Sequence, residues 1–231
     1  MTDSTLAPVI TVDGPSGSGK GTLAALLAER LGWQLLDSGA LYRITAVAAA
    51  DAGLAYGDAT SPAEAEAVAA LARRLDIEFS GGRVLVDGAD FTTRIRTEAA
   101  SIGASQVAVL PAVRQAVLGL QRAMRRAPGL VADGRDMGTV VFADAQLKIF
   151  LDASPEVRAE RRYNQLKNKG LSVNLRDLLA SIQERDERDR GRAVSPLVPA
   201  QDAILIDSTS MSIDAVLDRV YAEAVVRNLL G

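Results

Sequence analysis

The stretch "DGPSGSGKGT", residues 13–22, decides how the rest of the chain is read. Gly14, Gly19 and Lys20 fit the pattern G-x-x-x-x-G-K-[ST], a loop whose backbone N–H groups cradle phosphates while its lysine follows them as a charge. The stretch departs from that pattern at one place. The residue after the lysine is Gly21, and the hydroxyl arrives one position late, at Thr22. The flanks supply the context the pattern requires. "PVITVDG" (8–14) is a short apolar, β-branched run that reads as a buried strand. "GTLAALLAERLG" (21–32) repeats apolar residues at helical spacing and stops at a glycine. A glycine-rich turn between a strand and a helix aims converging N–H groups, and the positive end of the helix, at an anion.

Similar apolar runs recur further along: "WQLLDSG" (33–39), "GLVADG" (129–134), "LKIFLDAS" (147–154) and "AILIDST" (203–209). Each ends in an acid followed by small or hydroxyl residues. Near-continuous apolar strands alternating with helices predict an α/β fold, a parallel sheet of about five strands covered on both faces. Ligands bind beyond the carboxyl ends of such strands, where Asp13, Asp37, Asp133, Asp152 and Asp207 would stand. Two segments break the alternation. Residues 75–96 alternate at period two around "SGG" and "DGAD" and predict a small antiparallel insert of about three strands. Residues 155–192 predict two charged helices joined through "NKGLSVN", with a local surplus of basic residues in a chain of net charge −3. The 231 residues are read as one domain carrying these two insertions.

Composition removes whole mechanisms. The chain has no cysteine and no histidine, so it can hold no disulfide framework, no Cys/His zinc site, no Ser-His-Asp triad and no histidine base. Its chemistry must use carboxylates, Lys, Arg, backbone amides, or a metal that arrives with the substrate. The negative net charge and 4% aromatic content argue against a nucleic-acid partner. No apolar run approaches membrane-spanning length, and "MTDSTLAP" lacks the apolar core of a secretion signal, so a cytoplasmic protein without membrane contact is expected.

Three further motifs each have a plain reading beside a functional one. In "LLDSGALYR" (35–43) Ser38 could merely cap a helix and Arg43 lie in solvent, or both could face an acceptor at the sheet edge. "ADGRDMGTVVF" (132–142) could be a turn on its own chemistry, yet an arginine flanked by two acids at a strand's ligand end favours function. In "ERDERDRGR" (184–192) the pairs Glu184–Arg188, Arg185–Asp189 and Asp186–Arg190 would support an exposed helix. Arg185, Arg188 and Arg192 nevertheless recur at spacings three and four and share one face, and arginine forks match phosphate oxygens.

Taken together, "ITVDGPSGSGKGT", "LLDSGALYR", "SQVA" (105–108), "ADGRDMGTVVF", "KIFLDAS", "ERDERDRGRAVSPLVPA" and "DST" resemble the bacterial cytidylate kinases, nearly end to end and in order. Nucleoside monophosphate kinases carry a phosphate loop ending G-K-G-T, as this chain does, with Mg²⁺ held largely by phosphates and water. The resemblance implies a phosphate-loop kinase core, a monophosphate-binding insert around 75–96 and a helical lid around 158–170. It implies transfer of a phosphoryl group from ATP, with Mg²⁺, to CMP or dCMP by a monomeric enzyme. Gly14, Pro15, Ser16, Gly17, Ser18, Gly19, Lys20, Gly21 and Thr22 would hold the donor. Ser38, Arg43, Arg135 and Arg185 would serve the acceptor phosphate. Ser105, Arg114 and Asp136 would serve the cytosine, and Asp189 with Arg192 the nucleoside end. Lys20, Arg135, Arg185, Arg158 and Arg162 would stabilise the moving charge, the last two from the lid. No protein side chain is expected to be a metal ligand. A kinase for UMP, AMP or a small metabolite remains open on the residues alone. A guanine-nucleotide switch does not fit: "NKGL" at 168–171 fails the guanine-reading N-K-x-D pattern at its fourth position.

Overall fold

The computed structural model describes residues 6–57, 59–80, 83–168, 170–192 and 194–229. Gly81 and Gly82 of the "SGG" turn, and Lys169 of the expected lid, lie outside these. The chain divides into two compact units, one formed by 1–36 with 124–231 and the other by 37–123.

The first unit is built on a parallel sheet in the order β2-β6-β1-β7-β8. Its strands are β1 (Val9–Asp13), β2 (Gln34–Asp37), β6 (Leu130–Gly134), β7 (Leu147–Asp152) and β8 (Ile204–Asp207). All five coincide with the apolar runs that predict them. β1 and β6 are buried along their whole length, which is why they read as unbroken hydrophobic stretches. From β1 the chain builds first toward β6 and β2, then returns to build toward β7 and β8. The reversal makes the carboxyl end of β1 the switch point of the sheet, where a ligand crevice opens.

Helices cover both faces: α1 (Lys20–Leu31), α6 (Pro155–Asn168), α7 (Leu175–Arg190) and α8 (Ile213–Val226) belong to this unit. Leu23 and Leu27 of α1 and Val216 and Val220 of α8 interlock with Ile10, Val12, Ile149, Leu151 and Ile206 of the sheet. Each such side chain contributes about 1.5–3 kcal/mol by leaving water. α1 stops where expected, at Gly32, whose φ of 66° is the left-handed conformation of a helix C-terminus.

The second unit contains α2 (Ser38–Asp51), α3 (Pro62–Arg74), α4 (Glu98–Val107), α5 (Pro111–Ala123) and an antiparallel sheet of β3 (Ile77–Ser80), β4 (Arg83–Val86) and β5 (Ala89–Asp90). The three short strands are the predicted insert. Val84 and Val86 of β4 pack with Leu75, Phe91 and Ile95 against Ala40, Ile44 and Ala48 of α2. A capping box starts α3: Ser61 Oγ accepts the Glu64 N–H at 3.3 Å, and the Glu64 carboxylate accepts the Ser61 N–H at 2.7 Å. Among the described residues no helix is long and apolar enough to cross a membrane.

Candidate active site

The phosphate loop follows β1 and ends on α1, as its sequence requires. Gly14, Gly17 and Gly19 have φ of 153°, 81° and 95°, a backbone path that only glycine follows without strain. At Gly14 close approach adds to this, since a Cβ there would stand 2.0 Å from the Leu151 carbonyl oxygen. Gly19 precedes α1 with no side chain to cap it, and the first turn of α1 has no acid. The helix therefore keeps its first N–H groups for an anion. Lys20 is the first residue of α1, and its Nζ lies 3.5 Å from the Pro15 carbonyl and 3.7 Å from Asp133 Oδ1. Gly21 explains the displaced hydroxyl: a Cβ there would come within 3.1 Å of Asp133 Oδ2. Asp133, at the end of β6, was legible only as one of five strand-end acids. The structure singles it out as the carboxylate beside the loop lysine.

The acids beyond the strands have diverged in role. Asp13 is 5% exposed, and its two oxygens accept the N–H groups of Met137 (2.9 Å) and Gly138 (2.8 Å). Burial pushes its carboxyl up to about 7 from 3.8, against the two amide hydrogen bonds that favour the charge; Asp136 and Asp133 nearby add to the rise. These bonds hold the short π-helical turn Met137–Val141 directly after Arg135 and Asp136. Asp152 accepts its neighbour Ala153 N–H, and Asp207 is exposed and turned to Thr209.

A basic cluster forms around Asp189, which is 1% exposed near the end of α7. Arg135 Nε donates to its Oδ2 at 3.1 Å and Arg192 to its Oδ1 at 2.5 Å. Burial alone would raise the Asp189 carboxyl. The charges of Arg135, Arg192 and Arg185 outweigh it and hold the group below the usual carboxylate range. Asp189 thus gathers arginines that the sequence separates by more than fifty residues. Asp186 departs from the helical pairing expected for it. It turns inward to Arg158, with contacts of 3.0 and 2.5 Å, while Arg190 instead stands 4.0 Å from Asp152. Arg158 is 1% exposed, whereas Arg162, one helical turn on, is half-buried and donates to Gln165 at 2.9 Å.

The second unit holds the remaining expected residues. Asp37, not Ser38, caps α2, accepting the Ala40 N–H at 2.9 Å. Its other oxygen accepts from Arg43 at 2.8 Å, so Arg43 is oriented at the helix start. Ser38 is buried and accepts from Gln121 Nε2 at 2.8 Å. Ser105, on α4, donates to the Ser101 carbonyl at 3.3 Å, and Arg114, on α5, to that of Ala108 at 3.3 Å.

Residues 10–225 match the family model described as cytidylate kinase. The chain is 58% identical to the protein named cytidylate kinase from Stutzerimonas stutzeri (strain A1501), over 97% of this chain and 98% of that one. It is 58% identical to the protein of the same name from Pseudomonas syringae pv. tomato, with the same coverage of each, and 59% identical to that from Pseudomonas aeruginosa (strain UCBPP-PA14), over 92% and 93%.

Proposed function

The chain belongs to the cytidylate kinase family, and from that premise we propose that it moves the γ-phosphoryl group of ATP in line onto the phosphate of CMP or dCMP, with no side chain acting as base. The observation that carries this reading is the pairing, within one unit, of a glycine-rich loop ending in Lys20 with the arginines drawn together by Asp189. One set of charges suits a donor triphosphate and the other an acceptor.

The chain has no histidine, and the reaction has no need of one. The second pKa of a phosphate monoester is about 6, so the attacking oxygen is already anionic near neutrality. It forms a bond to the γ-phosphorus as the bond to the β,γ-bridging oxygen breaks, and ADP leaves with that electron pair. No proton has to move. What remains is to bring two polyanions together and spread the charge that develops on the transferring group. In this reading Lys20 and the N–H groups of residues 14–22 hold the donor. Ser38, Arg43, Arg135 and Arg185 orient the acceptor phosphate, and Arg162, with the 158–170 segment acting as a lid, adds charge and excludes water. Ser105, Arg114 and Asp136 read the base, and Asp189 with Arg192 supports the nucleoside end.

Phosphoryl-transfer sites bind Mg²⁺ through one or two carboxylates together with substrate phosphates. This chain is read as departing from that pattern: no side chain is expected to ligate the ion, which the substrates' phosphates and water would hold, and the ion would neutralise phosphate charge.

An ADP-release assay with ATP and each of CMP, dCMP, UMP and AMP tests the proposal. Turnover is expected with CMP and dCMP well above the other two. Equal use of CMP and AMP would overturn the substrate assignment.

A further inference from the structure

Two carbonyls of the phosphate loop, those of Ser16 and Ser18, are held by side chains from α6 and from the segment after β8. Arg158 directs its Nε to the Ala153 carbonyl (2.9 Å) and one terminal nitrogen to the Ser16 carbonyl (3.1 Å), while both terminal nitrogens engage Asp186. Arg161 donates from one nitrogen to the Ser18 carbonyl (3.1 Å) and to Ser208 Oγ (3.2 Å), and from the other to the Ser208 carbonyl (2.7 Å). Ser208 is the middle residue of the "DST" segment that follows β8, and it is 3% exposed. Its hydroxyl lies 3.2 Å from the Ser18 carbonyl and 3.0 Å from that of Asp152, with one proton to share between them.

The consequence follows from the planarity of the peptide. In a trans peptide the C=O of one residue and the N–H of the next point in opposite directions. Gripping the Ser16 carbonyl fixes the direction of the Gly17 N–H, and gripping the Ser18 carbonyl fixes that of the Gly19 N–H. Those two glycines have φ of 81° and 95°, and as glycines they resist reorientation least. A loop this permissive needs an external hold if its amides are to meet phosphates without first losing conformational freedom.

We propose that Arg158, Arg161 and Ser208 form a brace that sets the Gly17 and Gly19 N–H groups toward the donor's phosphates. They are positioning residues, touching the loop and not the nucleotide, and Arg158 has this role rather than direct contact with the transferring group. The brace also makes α6, the helix that carries Arg162, continuous with the loop.

The proposal rests on the reading that the loop binds ATP. Ser208→Ala removes the shared hydroxyl without touching any charge, and Arg161→Lys replaces a fork by a single ammonium. Each is expected to raise the KM for ATP, and the dissociation constant of ATP by titration calorimetry, roughly tenfold, the equivalent of one charge-assisted hydrogen bond. Affinity for CMP measured alone should stay within about twofold. Loss of thermal stability with ATP affinity unchanged would overturn the brace, as would equal weakening of ATP and CMP. If the unsubstituted protein itself binds no ATP, the functional reading fails instead, and the two failures are told apart.

Discussion

Replacing Asp13 by Asn separates the cost of a buried charge from the hydrogen bonds that the charge makes. In the folded protein the carboxyl keeps its proton up to about pH 7, whereas an unfolded chain releases it near 3.8. Between those values the native state binds more protons than the unfolded one. The stability this group contributes is therefore complete below pH 3.8 and is lost as pH rises through about 7. Between pH 5 and pH 8 the loss comes to about 3 kcal/mol. Asparagine has the same shape and does not titrate. Its single carbonyl oxygen can serve one of the two amides of Met137 and Gly138, leaving the other facing an NH₂ group, a pH-independent penalty of about 1–3 kcal/mol. The stability of the Asp13→Asn protein relative to the parent is therefore expected to rise by about 3 kcal/mol from pH 5 to pH 8. Trp33, the lone tryptophan and 8% exposed in the core that β1 shares, reports unfolding by fluorescence. Urea denaturation of both proteins from pH 5 to 8 gives the difference directly. Stabilities that run parallel within about 0.5 kcal/mol across that range would refute the reasoning.

Lys20→Ala should lower kcat by several orders of magnitude with the circular dichroism spectrum unchanged; turnover within about tenfold of the parent would remove the lysine from charge stabilisation. Gly21→Ser restores the hydroxyl of the commoner loop, but its Cβ would crowd Asp133 Oδ2 at 3.1 Å, so no gain in Mg²⁺-dependent activity is expected, and a large gain would contradict this account of the displaced hydroxyl. Asp136→Ala should lower the ratio of kcat/KM for CMP over UMP roughly tenfold, because a carboxylate accepts from the cytosine amino group and meets only an acceptor at the same place on uracil; an unchanged ratio would free Asp136 of base recognition. Activity should fall on the acid side near pH 6 as the acceptor phosphate gains its second proton, and the limb should shift with the pKa of acceptor analogues. A limb that stays fixed would point to an enzyme carboxylate acting as base.

What could be read from the sequence, and what could not, divides along the distance between partners. The five strands and α1 were legible because each is specified by its own residues, through unbroken apolar runs and a glycine at the turn. The start of α3 was legible in principle too, since Ser61, Pro62 and Glu64 spell a capping box within four positions, although alanine-rich periodicity there gives a weak signal. Arginines were the hardest to place. Arg158, Arg161 and Arg162 stand on one helix with similar neighbours, yet the first is buried against Asp186, the second holds Ser18 and Ser208, and the third is half-buried beside Gln165. Helical spacing fixes which face a guanidinium leaves from, but not whether a carbonyl or a carboxylate from elsewhere waits there. The strand-end acids make the same point. Asp207 bonds Thr209 two residues on, a local turn that "DST" spells out. Asp13 bonds amides 124 and 125 residues away. In sequence the two are alike, each an acid closing an apolar run. Only the parallel pairing of β1 with β6 brings Asp13 to the turn after Arg135, and that pairing makes an otherwise ordinary acid the support of two residues proposed to bind the acceptor.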